Sequence, residues 1–295
     1  MSIRVGLTNA DRRFCSRAKT AGNFKTASYI GFMFGRKREN RVAQPYTRLA
    51  EIYDYVMRHV DYVQWADYIE AVFARHSLSP TRVLDLACGT GSMALELRKR
   101  HYRVNGADGC REMLDVAVEK SRKAGQSVEF FHRNLLDLSG LPRFEAALCL
   151  YDSVNYLMTI EDVAVALREV HKLLLPNGIF VFDVCTESNS LRYFRKLTDK
   201  DGGDGFTYVR ESFYRNGIQF NRFKIRFKQT DESVEEEHRQ KIYPLPNILT
   251  ALEQSPFSLE GTYDGFGFCR PDEDSDRVHF VLRKVGERGE RSETG

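Results

Sequence analysis

The spacing of hydrophobic residues changes twice along the chain and divides it into three parts. From Tyr46 to Phe73, apolar residues recur every three or four positions in two runs, which predicts two helices with a break near Asp61–Tyr62. From Thr81 to Asp183, short apolar segments alternate with helical patterns, and the predicted strands are TRVLDLA, YRVNGAD, SVEFFH, FEAALCLY and IFVFDV. Because strands that alternate with helices form parallel sheets through right-handed crossovers, this part predicts a doubly wound α/β sheet.

The pattern changes again after Asp183, where three polar segments rich in aromatic residues follow one another. These segments are FTYVRESFYR, IQFNRFKIRFKQT and SVEEEHRQKIY, and turn residues such as Asn216-Gly217 separate them. We interpret residues 186–243 as an antiparallel insertion after the fifth strand, which would act as a lid. A helix in PNILTALEQ and two strands near FSLEGTYDG and DRVHFVLRKV then complete a seven-stranded, Rossmann-like sheet.

The net charge of +3 is distributed unevenly. Residues 1–44 hold ten Lys and Arg against two acidic residues, so the rest of the chain is mildly acidic and gives no support for binding nucleic acid. We predict a disordered basic leader at 1–44, a single domain at 45–285 and a disordered tail at 286–295. Two other interpretations of the leader stay open: a wrongly assigned start with the initiator at Met33, or an Arg-rich organelle transit peptide.

The cysteines and the apolar runs bear on the compartment of the protein. None of the six cysteines forms a C-x-x-C pair, so neither a metal site nor a disulfide framework is expected. We expect reduced thiols and a cytoplasmic protein. No stretch approaches the roughly 18 apolar residues of a membrane-spanning helix, so no membrane partner is expected.

The stretch VLDLACGTGSMALEL places a glycine-rich turn between a predicted strand and a predicted helix. Such a turn lets a ligand approach the backbone beside a helix N-terminus. The lysine of a phosphate-binding P-loop is absent, which argues against a triphosphate site. However, Gly89-x-Gly91-x-x-Ala94, with Asp108 following Gly89 by 19 residues, satisfies the relaxed dinucleotide fingerprint. The spacing alone therefore leaves an NAD(P)-dependent oxidoreductase open.

Three features favour a ligand without a pyrophosphate. Asp85 lies in the strand just before Gly89, where a carboxylate would repel a pyrophosphate and tolerate a cation. The fourth parallel strand ends in CLYDSVNYL, a cluster of polar and aromatic residues at the edge where a reacting group would lie. The chain also ends in two long strands rather than in a sixth strand–helix repeat.

At these residues the sequence resembles class I S-adenosylmethionine-dependent methyltransferases. LDLACGTGSMALEL resembles the first motif of that family, and GADGCREMLDVA resembles its ribose-binding segment. YTRLAEIYDYVMRHVDYVQWADYI, LYDSVNYL and EEEHRQKIYPLPNI resemble segments of a small-molecule subgroup that includes sugar N-methyltransferases. The resemblance covers about Tyr46 to Val285 and implies S-adenosyl-L-methionine as cofactor and a small molecule as methyl acceptor.

The resemblance also implies which residues bind the cofactor. They are Tyr46, Asp85, Ala87, Gly89, Gly91, Asp108, Met113, Asn134, Leu135 and Leu150. In the adenosine part, Asp108 would accept from both ribose hydroxyls and Met113 would pack on the adenine. Asn134 and Leu135 stand where the family often has an acid before an apolar residue, and the Asn oxygen can still accept from the adenine amino group. From the residues alone, Asp108 could instead cap the helix that begins near Arg111.

In the methionine part of the cofactor, the same resemblance assigns the remaining contacts. Ala87, Gly89 and Gly91 would pass beneath the methionine. Asp85 would fix their turn and reach the ammonium group through water. Leu150 would offer its backbone carbonyl to the same ammonium group.

We expect the acceptor to lie under the insertion, beside the residues that follow the fourth strand. Tyr156, Asn155 and His238 are the candidate catalytic residues, since their polar groups could position an amine or a hydroxyl. His238 lies in EEEHR, a pattern that is also typical of a solvated strand face. Tyr46 would reach the cofactor from the N-terminal helix, although it also fits an apolar helix stripe.

An RNA or protein methyltransferase is the alternative with the same chemistry. Enzymes that methylate base amino groups usually carry an N-P-P-Y-like turn after the fourth strand, and YDSVNY lacks that turn. The expected reaction is therefore in-line methyl transfer to a nitrogen or oxygen of a small molecule.

Overall fold

Twelve strands and seven α-helices make up residues 41–285, the part of the chain that the computed structural model describes. The strands are β1 (Arg41–Ala43), β2 (Arg82–Leu86), β3 (Arg103–Asp108), β4 (Glu129–His132), β5 (Phe144–Cys149), β6 (Leu174–Cys185), β7 (Lys196–Gly203), β8 (Phe206–Arg215), β9 (Ile218–Phe227), β10 (Glu232–Lys241), β11 (Ser258–Asp264) and β12 (Arg277–Arg283). The helices are α1 (Tyr53–Val56), α2 (Tyr62–Arg75), α3 (Ser92–Lys99), α4 (Arg111–Lys123), α5 (Ile160–Leu173), α6 (Glu187–Tyr193) and α7 (Leu245–Glu253), with 3-10 helices at Leu49–Ile52 and Ser153–Tyr156.

The central sheet has seven strands in the order β11-β12-β6-β5-β2-β3-β4. Strands β2 to β6 run parallel, whereas β12 pairs antiparallel with β6 and with β11. This confirms the doubly wound, seven-stranded sheet that the sequence predicts. The strand order reverses between β2 and β5, and in open α/β sheets ligands bind beyond the carboxyl ends of the strands at such a reversal.

Strand β2 is apolar because helices cover both faces of the central sheet. Leu84 and Leu86 belong to a cluster with residues of α5 and α7, whereas Val83 belongs to a cluster with residues of α2 and α3. All three side chains are fully buried. Packing on both faces fixes the carboxyl end of β2, and with it the glycine turn that follows.

The boundaries of two helical segments follow local chemistry. The break predicted near Asp61–Tyr62 lies between α1 and α2, and Asp61 caps α2 by accepting from the backbone N–H of Gln64 at 3.0 Å. The sequence predicts a helix through Leu175, but α5 ends at Leu173 and β6 begins at Leu174. Pro176 disfavours helical geometry in the residue before it, and Leu174 pairs with Phe144 of β5.

The insertion forms a second sheet in the order β1-β10-β9-β8-β7. Strands β7 to β10 are antiparallel, and the sequence analysis found only the last three of them. Strand β7 was not predicted because KLTDKDGG is polar and shows no alternation of apolar and polar residues. Its backbone hydrogen bonds to β8 hold it in the sheet. Helix α6, which precedes β7, was also missed, and β1 adds to β10 in parallel although its residues were assigned to the leader.

A small apolar cluster joins the second sheet to the N-terminal helices. Leu49, Ile52 and Val56 pack against Phe223 and Ile225 of β9, together with Tyr208 of β8. The face of the second sheet that meets these helices is called the inner face below. Gln240 of β10, on this face, donates to the carbonyl of Asp152 just after β5, so the inner face also turns toward the ends of the central strands.

The remaining predictions concern the termini, the membrane and the cysteines. Residues 1–40 and 286–295 lie outside the described residues, and so do the parts of the predicted leader and tail that they contain. Within residues 41–285, no helix has the length and apolar character needed to cross a membrane. Cys88, Cys110, Cys149 and Cys185 are free thiols.

Candidate active site

A cavity of about 550 Å³ lies between the carboxyl ends of the central strands and the inner face of the second sheet. Its lining comes from three parts of the chain: the N-terminal segment from Pro45 to Trp65, the segments after β2, β3, β4 and β5, and strands β8 to β10. The volume falls in the range of about 300–1,000 Å³ that is typical of small-molecule sites. The cavity therefore has room for two reactants side by side or for one extended ligand.

The glycine turn after β2 forms the floor of the cavity. Ala87, Gly89 and Gly91 all have positive φ, at 51°, 54° and 74°. Ala87 and Gly89 line the cavity, whereas Gly91 lies behind the turn, where it opens α3. A Cβ on Gly91 would lie 3.1 Å from the side chains of Ala117 and Phe130, so both its φ and its close packing favour glycine.

Asp108 ends β3 and faces the cavity beside the glycine turn. One carboxylate oxygen accepts from the backbone N–H of Gly89 and the other from that of Cys110, each at 2.8 Å. Burial raises the pKa of Asp108, while these backbone N–H groups act in the opposite direction. Each oxygen keeps a further lone pair, so the same carboxylate can hold the turn and accept from a ligand hydroxyl.

Asp85 lies in β2 beneath the turn and is only 3% exposed. Burial, with repulsion from Asp108, raises the pKa of Asp85 to about 7. Among residues 41–285, its Oδ2 atom has no hydrogen-bond partner. A buried carboxylate with an unused oxygen at the cavity wall suits a cationic group of a ligand.

The other residues predicted to bind the adenine and the ammonium group also line the cavity. Met113, Asn134, Leu135 and Leu150 all contribute to its wall. However, the Asn134 oxygen already accepts from the backbone N–H groups of Leu136 and Asp137, at 2.9 and 3.1 Å, and closes a local turn. This leaves the Asn134 oxygen less free than the sequence analysis assumed.

A chain of polar contacts crosses the side of the cavity opposite the glycine turn. The hydroxyls of Tyr46 and Tyr156 lie 2.5 Å apart, and the Tyr156 hydroxyl lies 3.4 Å from Nδ1 of His238. Nε2 of His238 lies 3.3 Å from a carboxylate oxygen of Glu236. Burial disfavours the charged form of Glu236, but His238 and the backbone N–H groups of residues 48 and 49 bring its pKa below the ordinary value.

Asn155 takes a different place from the one that the sequence predicts. It is fully buried and does not line the cavity. Its amide donates to the carbonyl of Lys241 at 2.7 Å and accepts from the backbone N–H of Cys185 at 2.9 Å. All of these contacts join β6 and β10 to the Ser153–Tyr156 helix, so Asn155 holds that helix in place.

A buried ion-pair cluster lies under the turn that follows β5. Tyr151 and Asp152 both have positive φ, at 60° and 53°. Asp152 pairs with Arg277 at 2.7 Å, and Arg277 also pairs with Asp183. This cluster fixes two strained residues at the cavity wall, and it satisfies the charge of Asp152.

Several residues of the cavity wall were not among the predicted site residues. They are Tyr53, Tyr62, Arg210, Asn221, Phe223 and Gln240. Those on β8 to β10 alternate with outward residues, so every second side chain of these strands faces inward. The alternation is visible in the sequence. Which of the two alternating sets of side chains faces the ligand depends on how the sheet packs against the N-terminal helices.

Comparisons with known proteins agree with this geometry. Residues 83–178, which include most of β2, the glycine turn and the start of β6, match the family described as "Methyltransferase domain". YqeM of Bacillus subtilis (strain 168), which is named as a methyltransferase, is 30% identical over 81% of this chain and 97% of its own length. A glycine/sarcosine N-methyltransferase of Halorhodospira halochloris is 36% identical over 69% of this chain and 75% of its own.

Solved structures share the fold. An S-adenosylmethionine-dependent methyltransferase from Clostridium acetobutylicum ATCC 824 superposes with a TM-score of 0.70 at 23% identity, over 82% of this chain and 99% of its own. The sugar N-methyltransferase KedS8 from Streptoalloteichus superposes with a TM-score of 0.67 at 18% identity, over 90% of this chain and all of its own.

The central strands and the glycine turn thus lie in a methyltransferase domain. The chain belongs to the S-adenosylmethionine-dependent methyltransferase family. The residues present fit that cofactor. Asp85, a buried carboxylate with an unused oxygen, and Asp108, a second carboxylate, both line the cavity at the glycine turn. When bound, S-adenosylmethionine supplies an activated methyl group.

Proposed function

We propose that this enzyme transfers a methyl group in line to a nitrogen or oxygen atom of a small-molecule acceptor. The observation that carries the proposal is the cluster of Tyr46, Tyr156 and His238, which faces the glycine turn across the cavity. The second sheet and the N-terminal segment cover this end of the cavity. That arrangement suits a small acceptor held away from water better than a polymer.

The names of two relatives support an amine as the acceptor. One is the glycine/sarcosine N-methyltransferase described above. The other is the dTDP-3-amino-3,6-dideoxy-alpha-D-glucopyranose N,N-dimethyltransferase of Streptomyces fradiae, 27% identical over 72% of this chain and 84% of its own. Both names place the methyl group on nitrogen, and we therefore favour nitrogen over oxygen.

The proposed contacts of the adenosine part follow from the cavity wall. Asp108 would accept from the ribose hydroxyls and Met113 would pack on the adenine. Because the oxygen of Asn134 already closes a turn, we assign the adenine contact to the segment at Leu135 rather than to that oxygen.

The proposed contacts of the methionine part lie on the other side of the turn. Asp85 and the carbonyl of Leu150 would hold the ammonium group. Ala87 and Gly89 would pass beneath the chain of the methionine, with Gly91 setting the turn from behind. Tyr46 would contact the cofactor as well as the acceptor, because its ring lies 5.8 Å from that of Tyr53, which lies beside Gly89.

At the acceptor end, the residues act by positioning and by accepting hydrogen bonds. Burial raises the pKa of Tyr156 above its ordinary range, so its hydroxyl stays neutral and can both donate and accept. The Tyr156 hydroxyl and His238 would orient the acceptor so that its lone pair faces the methyl group. We leave Asn155 out of this proposal, because its amide is engaged with the backbone of β6 and β10.

The test combines cofactor binding with methyl transfer. Tyr156→Phe removes one hydroxyl from the cavity and leaves the packing of the ring, so its affinity for S-adenosylhomocysteine should stay within about twofold of wild type. Its rate of methyl transfer to a panel of small amines should fall by roughly tenfold or more, because a hydroxyl that positions the acceptor is lost. Titration calorimetry and a radiolabelled methyl-transfer assay measure the two quantities.

Tyr214→Phe is the matched control, since that tyrosine lies at the outer end of the second sheet, where it bonds Glu187 at 2.7 Å. It should leave both quantities unchanged. Methylation of RNA or protein, with no turnover of any small amine or alcohol, would refute the small-molecule proposal. Unchanged turnover in Tyr156→Phe and in His238→Ala would refute the placement of the acceptor.

A further inference from the structure

Arg210 projects from β8 into the acceptor end of the cavity, and its hydrogen-bond partners are neutral. Its Nη2 atom donates to the Asn221 oxygen at 2.9 Å, and its Nε atom donates to the Ser212 hydroxyl at 3.1 Å. Ser212 donates to the same Asn221 oxygen at 2.7 Å. Asn221 and Ser212 are buried, so the guanidinium is held by a fixed neutral platform.

The other charged groups of the cavity wall are engaged or lie at the cofactor end. Asp152 is paired with Arg277 at 2.7 Å and receives a hydrogen bond from Gln240. Asp85 and Asp108 lie beside the glycine turn. Arg133 donates to the backbone carbonyls of His132 and Ser139, near the predicted adenine site. Within residues 41–285, no carboxylate lies within ion-pair distance of Arg210.

Two aromatic rings lie beside this guanidinium. Its central carbon lies 5.1 Å from the ring centre of Phe194 and 5.7 Å from that of Phe223. An arginine offers five N–H donors in a planar fork, and the contacts described use only Nε and Nη2. Within the described residues, Nη1 forms no hydrogen bond, so one side of the fork is available to a ligand in the cavity.

A partly buried guanidinium whose partners are all neutral can bind an anion without breaking an existing ion pair. We infer that Arg210 is an anion-binding subsite, and that the methyl acceptor carries a carboxylate or phosphate group which this guanidinium binds. The inference rests on the proposed function, since it names the class of acceptor for the same cavity. The acceptor would then be an anionic amine, with its nitrogen toward Tyr156 and its anionic group toward Arg210.

The test uses matched pairs of probes that differ only in the anionic group. For the carboxylate, the pair is sarcosine and sarcosinamide; for the phosphate, it is O-phosphoethanolamine and ethanolamine. Affinity for each probe is measured by NMR titration of the wild-type protein saturated with S-adenosylhomocysteine. We expect at least one anionic probe to bind about tenfold or more tightly than its neutral partner, as charge-assisted paired hydrogen bonds do. The pair that shows the preference identifies the anionic group.

Arg210→Gln should reduce that preference to nearly one while S-adenosylhomocysteine still binds. Arg210→Lys, which keeps the charge and loses the fork, should retain part of it. Arg222→Gln is the matched control, because Arg222 lies on the neighbouring strand β9 and pairs with Glu237 instead of facing the cavity. It should leave the preference intact.

The inference is overturned if neither anionic probe is preferred by the wild type, or if Arg210→Gln keeps the full preference. These results differ from a failure of the proposed function. If the wild-type protein did not bind S-adenosylhomocysteine at all, the proposed function would fail first. If it bound the cofactor product and preferred neutral amines, only the anion subsite would fail.

Discussion

At the scale of single residues, the site depends on carboxylates that the fold holds in unfavourable surroundings. Asp85 sits beneath the glycine turn with one oxygen unpartnered, and burial raises its pKa to about 7. In the unfolded chain the same group ionises at its ordinary pKa of 3.8. Because the pKa is raised on folding, the protonated form is the one that favours the native state. The free energy of unfolding therefore falls as the pH rises toward and through 7, where Asp85 ionises in the folded protein.

We expect Asp85→Asn to make the protein more stable and to weaken its affinity for S-adenosylhomocysteine. Without ligand, the variant should melt at a higher temperature than wild type at pH 8, with a smaller gain at pH 5.5, where Asp85 is protonated. Its affinity for S-adenosylhomocysteine should fall about tenfold or more at pH 8, because the charge facing the ammonium group is lost. Wild-type affinity should rise between pH 5.5 and pH 8, and the variant should not show that rise.

Thermal melts and calorimetry at the two pH values measure this prediction. Asp115→Asn, on the exposed side of α4, is the control and should change neither quantity. A lower melting temperature of Asp85→Asn at pH 8, or an unchanged affinity, would contradict the assignment of Asp85.

At the scale of elements, one buried carboxylate fastens the N-terminal segment to the second sheet. Glu236 of β10 accepts from the backbone N–H groups of Tyr46, Arg48 and Leu49, at 2.8, 2.6 and 2.9 Å. These donors lie at and just before the start of the 3-10 helix, where backbone N–H groups have no partner within the helix. Because the pKa of Glu236 is lowered, the stability it contributes is present at neutral pH and is lost as the pH falls below the ordinary glutamate range.

Glu236→Gln should loosen this junction. An amide in place of the carboxylate presents its own N–H groups to the three donors, so at least one buried donor loses its partner, at a cost of about 1–3 kcal/mol. We expect a lower melting temperature and faster hydrogen exchange at residues 46–56, measured by mass spectrometry. Glu235→Gln, the adjacent residue on the same strand, should have little effect. Equal exchange in the two variants would show that the apolar contacts of Leu49 and Ile52 are sufficient to hold the segment.

At the scale of the whole molecule, the cavity exists only where three distant parts of the chain meet. The N-terminal segment, the turns of the central sheet and strands β8 to β10 each supply part of its wall. A ligand that spans the cavity therefore stabilises all three parts at once. Binding to the native state alone raises stability by about 2.7 kcal/mol when the ligand is present at 100 times its dissociation constant.

We expect S-adenosylhomocysteine at that concentration to raise the melting temperature by roughly 5–10 °C, as the size of the domain suggests. NAD at the same concentration should leave it unchanged, because Asp85 disfavours a pyrophosphate at the turn. Hydrogen exchange should slow at residues 46–62 and in β10 as well as at the glycine turn. Protection confined to the glycine turn would show that the second sheet does not close over the cofactor, and stabilisation by NAD would reverse the choice of cofactor.

Local patterns in the sequence determined the order and kind of most elements. The alternation of apolar strands with helical patterns between Thr81 and Asp183 predicted the doubly wound sheet, because burial on both faces leaves a continuous apolar run in each parallel strand. The glycine turn and Asp108 were predicted as well, since a tight turn and a strand end are marked by single residue types. The polar strand β7 left no such mark, because backbone pairing rather than burial holds it.

Only the tertiary structure decided which polar side chains face the cavity. Asn155 and Tyr156 are neighbours in the sequence, yet the first bonds the backbone of two strands and the second lines the site. Arg210 and His238 lie on different strands of the second sheet. The packing of that sheet against Leu49, Ile52 and Val56 decides which face of each strand turns toward the cavity. Sequence periodicity gives the alternation of a strand, but the side of the alternation that meets a ligand is set by contacts between residues far apart in the chain.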